Sequence, residues 1–299
     1  MVVMAAGLGS RYGGLKQVEP IGPNGEWIVD YSVYDAVQAG FERVVFVVRD
    51  EIEAGFRARF GNTLERVCDV RYVVQSLDDL PPGHSVEAYR GKPWGTGHAV
   101  WSCRELVDGP FGVVNADDFY GRGAYESLGM HLKNQASHSV EYVLVGYELS
   151  KALTSSGPVS RGVCAVEENG LLIEIVERHQ IAWRAGTVTC LEDGKQRKEL
   201  RPDATVSMNM WGFGKRFMSD LEHDFAAFLR EHAGSLGKVE FFLPDVVRRL
   251  VQEGAARIRV LSTDEAWFGV TFRDDIARAR EEIRKRIDAG KYPARLWSN

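Results

Sequence analysis

An open, mostly parallel α/β sheet with helices on both faces is the fold class the sequence predicts, with a more antiparallel part inserted in its second half. Two observations predict it. In the first half, short β-branched runs alternate with helical patterns, the signature of parallel strands joined by crossover helices. From about Val159 the pattern changes to paired strands joined by tight turns.

The strand candidates are Val2 to Ala6, Arg43 to Val48, Val70 to Gln75, Phe111 to Ala116 and Val140 to Tyr147, each largely apolar, as strands covered on both faces are. Ala99, Val100, Cys103, Leu106 and Val107 recur at helical spacing, which predicts a helix lying on the sheet. Gly162 to Glu167 and Leu171 to Glu177 read as a hairpin on the turn Glu168-Asn169-Gly170. A second turn, Asp193-Gly194, lies in a polar stretch from Arg184 to Asp203 that reads as a mobile hairpin. Thr205 to Phe213 returns as a strand, and Phe217, Leu221, Phe225, Phe228 and Leu229 mark an amphipathic helix. The closing helix has Asp274 and Asp275 in its first turn, Arg284 to Arg286 in its last and Gly290 beyond, an arrangement that suits the helix dipole. No Gly/Ser/Pro-rich linker interrupts the chain, so one domain over 1-299 is expected, with halves 1-150 and 151-271 and a C-terminal helix over 272-299.

Composition narrows the function classes. Lys and Arg total 37 against 42 Asp and Glu, a net charge of -5 with no long block of one sign, which argues against DNA or RNA as a partner. A small polyanion is compatible with this balance, because local Arg, Lys and backbone N–H groups bind phosphate on an acidic protein. Cys68, Cys103, Cys164 and Cys190 are widely spaced, without a C-x-x-C pair or zinc-like His spacing, and read as thiols in a reducing compartment. No apolar stretch approaches the roughly 18 residues of a membrane span. A cytoplasmic protein without membrane association is expected; homo-oligomerisation is left open.

Three clusters carry chemistry. The first, Ala5-Ala6-Gly7-Leu8-Gly9-Ser10-Arg11-Tyr12-Gly13-Gly14-Leu15-Lys16, follows a strand directly, at the edge where α/β sheets bind ligands. Its glycines admit close approach of backbone N–H groups to phosphate, and Arg11 and Lys16 supply countercharge, although a flexible turn with two surface cations reads equally well in isolation. A dinucleotide fingerprint fails because Tyr12 stands where its third glycine belongs, and a Walker loop fails because no G-K-[ST] follows. In the second cluster, Gln75 ends a strand and Trp94-Gly95-Thr96-Gly97-His98 opens a helix; a helix cap at Thr96 beside a loop glutamine is its simplest reading. In the third, an apolar strand ends in Asn115-Ala116-Asp117-Asp118, and acids at a buried edge call for a cation or hydrogen-bond donors.

Taken together, the segment from Val2 to Lys16, continuing through Pro20 to Asp30-Tyr31-Ser32, resembles the signature loop of the sugar-1-phosphate nucleotidyltransferase family, and the later clusters extend the resemblance over nearly the whole chain. The resemblance implies a Rossmann-like nucleotidyltransferase domain with a nucleotide-binding first half and an acceptor-binding second half. It implies a nucleotide site of Ala6, Gly7, Gly9, Ser10, Gln75, Gly95 and Thr96, with Arg11, Lys16 and Asp117 as catalytic residues and Asp117 as the ligand of Mg2+. Ser160-Arg161-Gly162-Val163 and Ile175-Val176-Glu177-Arg178 resemble the sugar-binding strand pair, which implies acceptor contacts from Gly162, Glu177 and Arg178, with Asn209 on the strand that follows. The implied substrates are a nucleoside triphosphate and a phosphorylated acceptor, and the implied product partner is pyrophosphate.

The chain departs from the family pattern at five points, one of them the larger turn that Gly22-Pro23-Asn24-Gly25-Glu26 makes after Lys16. Lys16 follows Arg11 closely, Arg178 stands for the usual Lys, His179 for the usual Pro, and Gly269 for the second metal-binding acid, with Asp274 or Asp275 as substitutes. Two rivals follow. Trp183, Trp211, Tyr142 and Tyr147 leave open an aromatic box for phosphocholine or another non-sugar phosphate. Gly269 leaves open a nucleotide-binding regulatory homologue without catalysis.

Overall fold

The structure is a computed structural model that describes residues 1–7, 19–85, 90–136, 139–154, 157–192, 196–270 and 275–297. Among them the apolar runs form β1 (Val2–Met4), β2 (Arg43–Val48), β3 (Asp69–Val74) and β4 (Phe111–Asn115), parallel in the order β3-β2-β1-β4. The chain leaves β1 toward β2 and β3 on one side, and β4 flanks it on the other, so a crevice opens where the carboxyl ends of β1 and β4 meet.

Alternate side chains of these strands enter two separate cores, one per sheet face. Val3, Phe46, Val48 and Val114 join the first, where α1 (Ile28–Gln38), α2 (Asp50–Leu64) and α4 (Arg122–Lys133) bury Val33, Phe56, Phe60 and Leu128. Val2, Val45, Val47 and Val113 join the second, under α3 (Thr96–Trp101), α5 (Phe217–Glu231) and α6 (Leu243–Gln252). Each such buried side chain contributes roughly 1.5–3 kcal/mol. Helices therefore cover both faces, as the unbroken apolar strands require.

The second half adds β6 (Glu141–Glu148), β7 (Val159–Val166), β8 (Leu172–Arg184), β9 (Thr187–Glu192), β10 (Gln196–Leu200), β11 (Thr205–Phe213) and β12 (Arg257–Ser262) to the same sheet; β5 (Asp118–Phe119) pairs apart with β13 (Phe268–Gly269), and α7 (Asp275–Asp288) closes the described chain. β11 runs antiparallel to β4, β6 and β7, and β7 through β10 form an antiparallel meander. The strand expected over Val140 to Tyr147 is present as β6, parallel only to β12 and antiparallel to β11. Its apolar run reports burial on both faces and says nothing of a neighbour's direction.

The helix expected through Ala99 to Val107 is shorter. α3 ends at Trp101, where Ser102 turns its hydroxyl back onto the His98 carbonyl at 2.9 Å, and a 3₁₀ turn over Arg104–Leu106 follows. The polar stretch after Arg184 forms β9 and β10; its Asp193-Gly194 tip lies outside the described residues. Among the described residues no helix is long and apolar enough to cross a membrane.

Candidate active site

The described start of the first cluster, Ala5 to Gly7, and the third cluster meet in the crevice between β1 and β4. Register pairs Met4 with Asn115, and the Ala116 amide donates to the Met4 carbonyl at 3.0 Å, so Ala6 and Gly7 leave the sheet beside Asp117. Among the described residues a Cβ on Gly7 would touch nothing within 4 Å. Gly9, Ser10, Arg11 and Lys16 lie outside the described residues.

Gln75 is held at the carboxyl end of β3. Its Nε2 donates to the Gly95 carbonyl at 2.9 Å and lies 3.1 Å from Nδ1 of His98. His98 Nε2 faces the Asp79 carbonyl at 2.8 Å, which can only accept, so the proton resides on Nε2 and Nδ1 accepts from Gln75. Burial pulls the His98 pKa down to about 4, which keeps the ring neutral and this pattern intact near pH 7. Gly95 has φ 113°, and a Cβ there would stand 2.5 Å from the Phe241 carbonyl oxygen. The cap expected of Thr96 falls elsewhere: Gly95 is the N-cap of α3, and the Thr96 hydroxyl accepts the Leu243 amide at the start of α6, at 3.0 Å.

Beyond β4, Asp118 is buried, and its Oδ2 accepts from Asn115 Nδ2 at 2.8 Å and lies 3.3 Å from the Tyr120 hydroxyl. Gly269 pairs with Asp118 across β13 and β5, and a Cβ at 269 would lie 2.4 Å from Asp118 Oδ1. A side chain at 269 would therefore require the Asp118 carboxylate to move. Asp275 is buried at the start of α7, and Asp274 lies outside the described residues.

Asp118 lines a cavity of about 250 Å³ together with Arg161, Gly162, Glu177, Asn209 and Trp267. Asn209 holds φ 60° at the point where β11 shifts register against β6, a conformation Asn tolerates better than most residues. Gly162 is cross-strand from Glu177, and a Cβ there would press on Ile175 at 3.2 Å. Solvent reaches Glu177 through the cavity, yet the surrounding protein raises its carboxyl above the ordinary range, with His179 and Arg161 opposing the shift. Arg178 lines neither this cavity nor the adjoining one of about 420 Å³; Arg161, which the sequence motifs do not single out, lines both. The strand does not end at His179 but continues to Arg184, with Gln180 at φ 55° where the register to β9 shifts.

The aromatic box does not form. Tyr142 and Trp211 are buried in one core, Tyr147 in the other, and Trp183 is exposed.

No protein-family model matches the chain, and no curated protein sequence matches it. Solved structures do. One, a glucose-1-phosphate thymidylyltransferase from Bacillus anthracis in complex with sucrose, superposes with a TM-score of 0.64 at 14% identity, covering 95% of this chain and 94% of the other. The inositol-1-phosphate CTP transferase from T. maritima gives the same TM-score and identity, with 95% of each chain covered. The chain thus shares the α/β fold of sugar-phosphate nucleotidyltransferases.

Proposed function

We propose that the chain is a nucleotidyltransferase that joins a nucleoside triphosphate to a phosphorylated small molecule, a sugar 1-phosphate first among them, and releases pyrophosphate. The observation that carries this reading is the placement of Gly7 and Asp117 just beyond the adjacent carboxyl ends of β1 and β4, beside a charged cavity holding Asp118 and Glu177. On this reading Gln75 and Gly95 face the base, Arg11 and Lys16 meet the triphosphate, and Gly162, Glu177 and Asn209 meet the acceptor.

A phosphate monoester is a nucleophile at pH 7 and needs no strong base. Its oxygen attacks the α-phosphorus, the bond from that phosphorus to the bridging oxygen breaks, and pyrophosphate leaves with the electron pair. The protein aligns the two substrates and offsets the growing charge of the leaving group, the task assigned to Arg11 and Lys16. Among the described residues no three His, Cys, Asp or Glu side chains converge, and a donor set of Asp117 with Asp118 suits Mg2+, which takes one or two carboxylates and completes its shell with water and substrate phosphates. When bound there, the ion would neutralise phosphate charge during the transfer.

The test is pyrophosphate release from each nucleoside triphosphate with glucose 1-phosphate, inositol 1-phosphate or phosphocholine, with magnesium present or chelated. Magnesium-dependent release with a sugar or polyol phosphate is expected. Nucleotide binding without release from any pair would instead favour the regulatory reading.

A further inference from the structure

The β7–β8 pair holds one cation whose surroundings the proposed site does not explain. Arg161 stands on the wall shared by the two cavities, next to Ser160, Glu177 and Trp267, which also line both. Its guanidinium lies over the Trp267 ring at 4.5 Å. Nε and Nη2 point at the Ala152 carbonyl, at 3.4 and 3.1 Å, and Nη1 donates to the Ser160 carbonyl at 2.8 Å. Neutral carbonyls fix the plane of the group, yet they leave part of its donor fork uncommitted. Asp118 and Glu177 are close enough to favour its charged form, but Arg161 makes no ion pair with any carboxylate among the described residues. Burial lowers its pKa, the mark of a cation taken out of water at a cost.

A desolvated guanidinium that is stacked, oriented and outside any direct ion pair among the described residues is prepared for an anion that arrives later. Its plane and remaining donors suit two oxygens of a phosphate, and it opens onto the cavity that also holds Asp118 and Glu177. The geometry points to Arg161, rather than Arg178, as the residue that receives the phosphate of the acceptor. This rests on the proposed transfer reaction for the identity of the acceptor, but the anion site itself does not. Glu177 then lies on the same cavity wall as a hydrogen-bond acceptor for hydroxyls of the bound molecule.

Isothermal titration of the full chain with glucose 1-phosphate, inorganic phosphate and magnesium-nucleotide tests it, in the wild type, Arg161→Gln and Arg178→Gln. Arg161→Gln is expected to lose about tenfold or more in affinity for both phosphates, in line with the loss of a charge-assisted hydrogen bond, and to keep its nucleotide affinity. Arg178→Gln is expected to change phosphate affinity by less than about twofold, because Arg178 lines neither cavity. If Arg161→Gln fails to fold, Arg161→Lys keeps the charge without the fork and should weaken phosphate several-fold. Unchanged phosphate affinity in the Arg161 variants, a larger loss in Arg178→Gln, or a loss for nucleotide equal to that for phosphate would overturn the assignment, as would a wild type that binds neither phosphate. Should phosphate binding depend on Arg161 while no nucleotide and acceptor pair yields pyrophosphate, the anion site stands and the proposed reaction falls.

Discussion

Around Gln75 the polar groups are committed to one another: its amide nitrogen serves Gly95 and His98, and His98 serves Asp79. Around Arg161 a guanidinium faces Asp118 and Glu177 across a cavity without closing an ion pair to either. The first region resembles a finished template, in which a neutral ring and two carbonyls hold an amide in one orientation. The second keeps charge in reserve. On the proposed function, the contrast would let one sheet serve two substrates differently, the edge of a base with fixed dipoles and an anion with a cation outside any direct ion pair.

Three substitutions break or sharpen that contrast. The largest effect is expected from Asp117→Asn, which removes charge without volume where the reserve matters most. Turnover should fall on the order of a thousandfold or more, equivalent to several kcal/mol of transition-state stabilisation. Circular dichroism should remain unchanged, and a near-normal rate of magnesium-dependent pyrophosphate release would remove Asp117 from the mechanism.

His98→Gln addresses the template. A group whose folded pKa is depressed binds fewer protons folded than unfolded between the two values, so its stabilisation is complete above about 6.5 and is lost as pH falls through about 4. Wild type should therefore lose up to about 3 kcal/mol relative to the variant across that window. Parallel denaturant curves at pH 4 and 7 for the two proteins would show that His98 is not the buried neutral ring described.

Gly95→Ala is expected to cost about 2 kcal/mol, from a left-handed backbone and the approach to the Phe241 carbonyl at 2.5 Å. Thermal melts measure it. A loss confined to nucleotide affinity, with an unchanged melting temperature, would mean that α3 shifts to make room.

Much of this fold was legible because its information is local. Runs such as Arg43–Val48 carry their strand character in nearly every residue, and the switch from crossover to hairpin pattern at Val159 marks where the antiparallel meander begins. The adjacency of Gly7 and Asp117 followed from strand order, which the alternating pattern constrains. Arg161 was not legible. Its place depends on a register shift between Val159 and Arg161, a left-handed Gln180 and a Trp about a hundred positions later, none of which leaves a spacing signal. Gly269 was visible in the sequence, but its closeness to the Asp118 carboxylate is a contact between positions far apart in the chain.

β11 is one continuous strand that pairs with β7 at Val206 and Ser207 and with β4 at Trp211 to Phe213. Between those stretches the Met208 carbonyl lies 3.0 Å from the hydroxyl of Tyr120, which also receives the Asn115 amide. The strand that carries Gly162, proposed to meet the acceptor, and the strand that ends in the acids are therefore set apart by a few peptide units of β11. β11 acts as a ruler. The separation of two bound reactants would be a property of bond lengths and one bulge, largely independent of how tightly either is held, and reactants so spaced have surrendered their relative freedom before the chemistry begins.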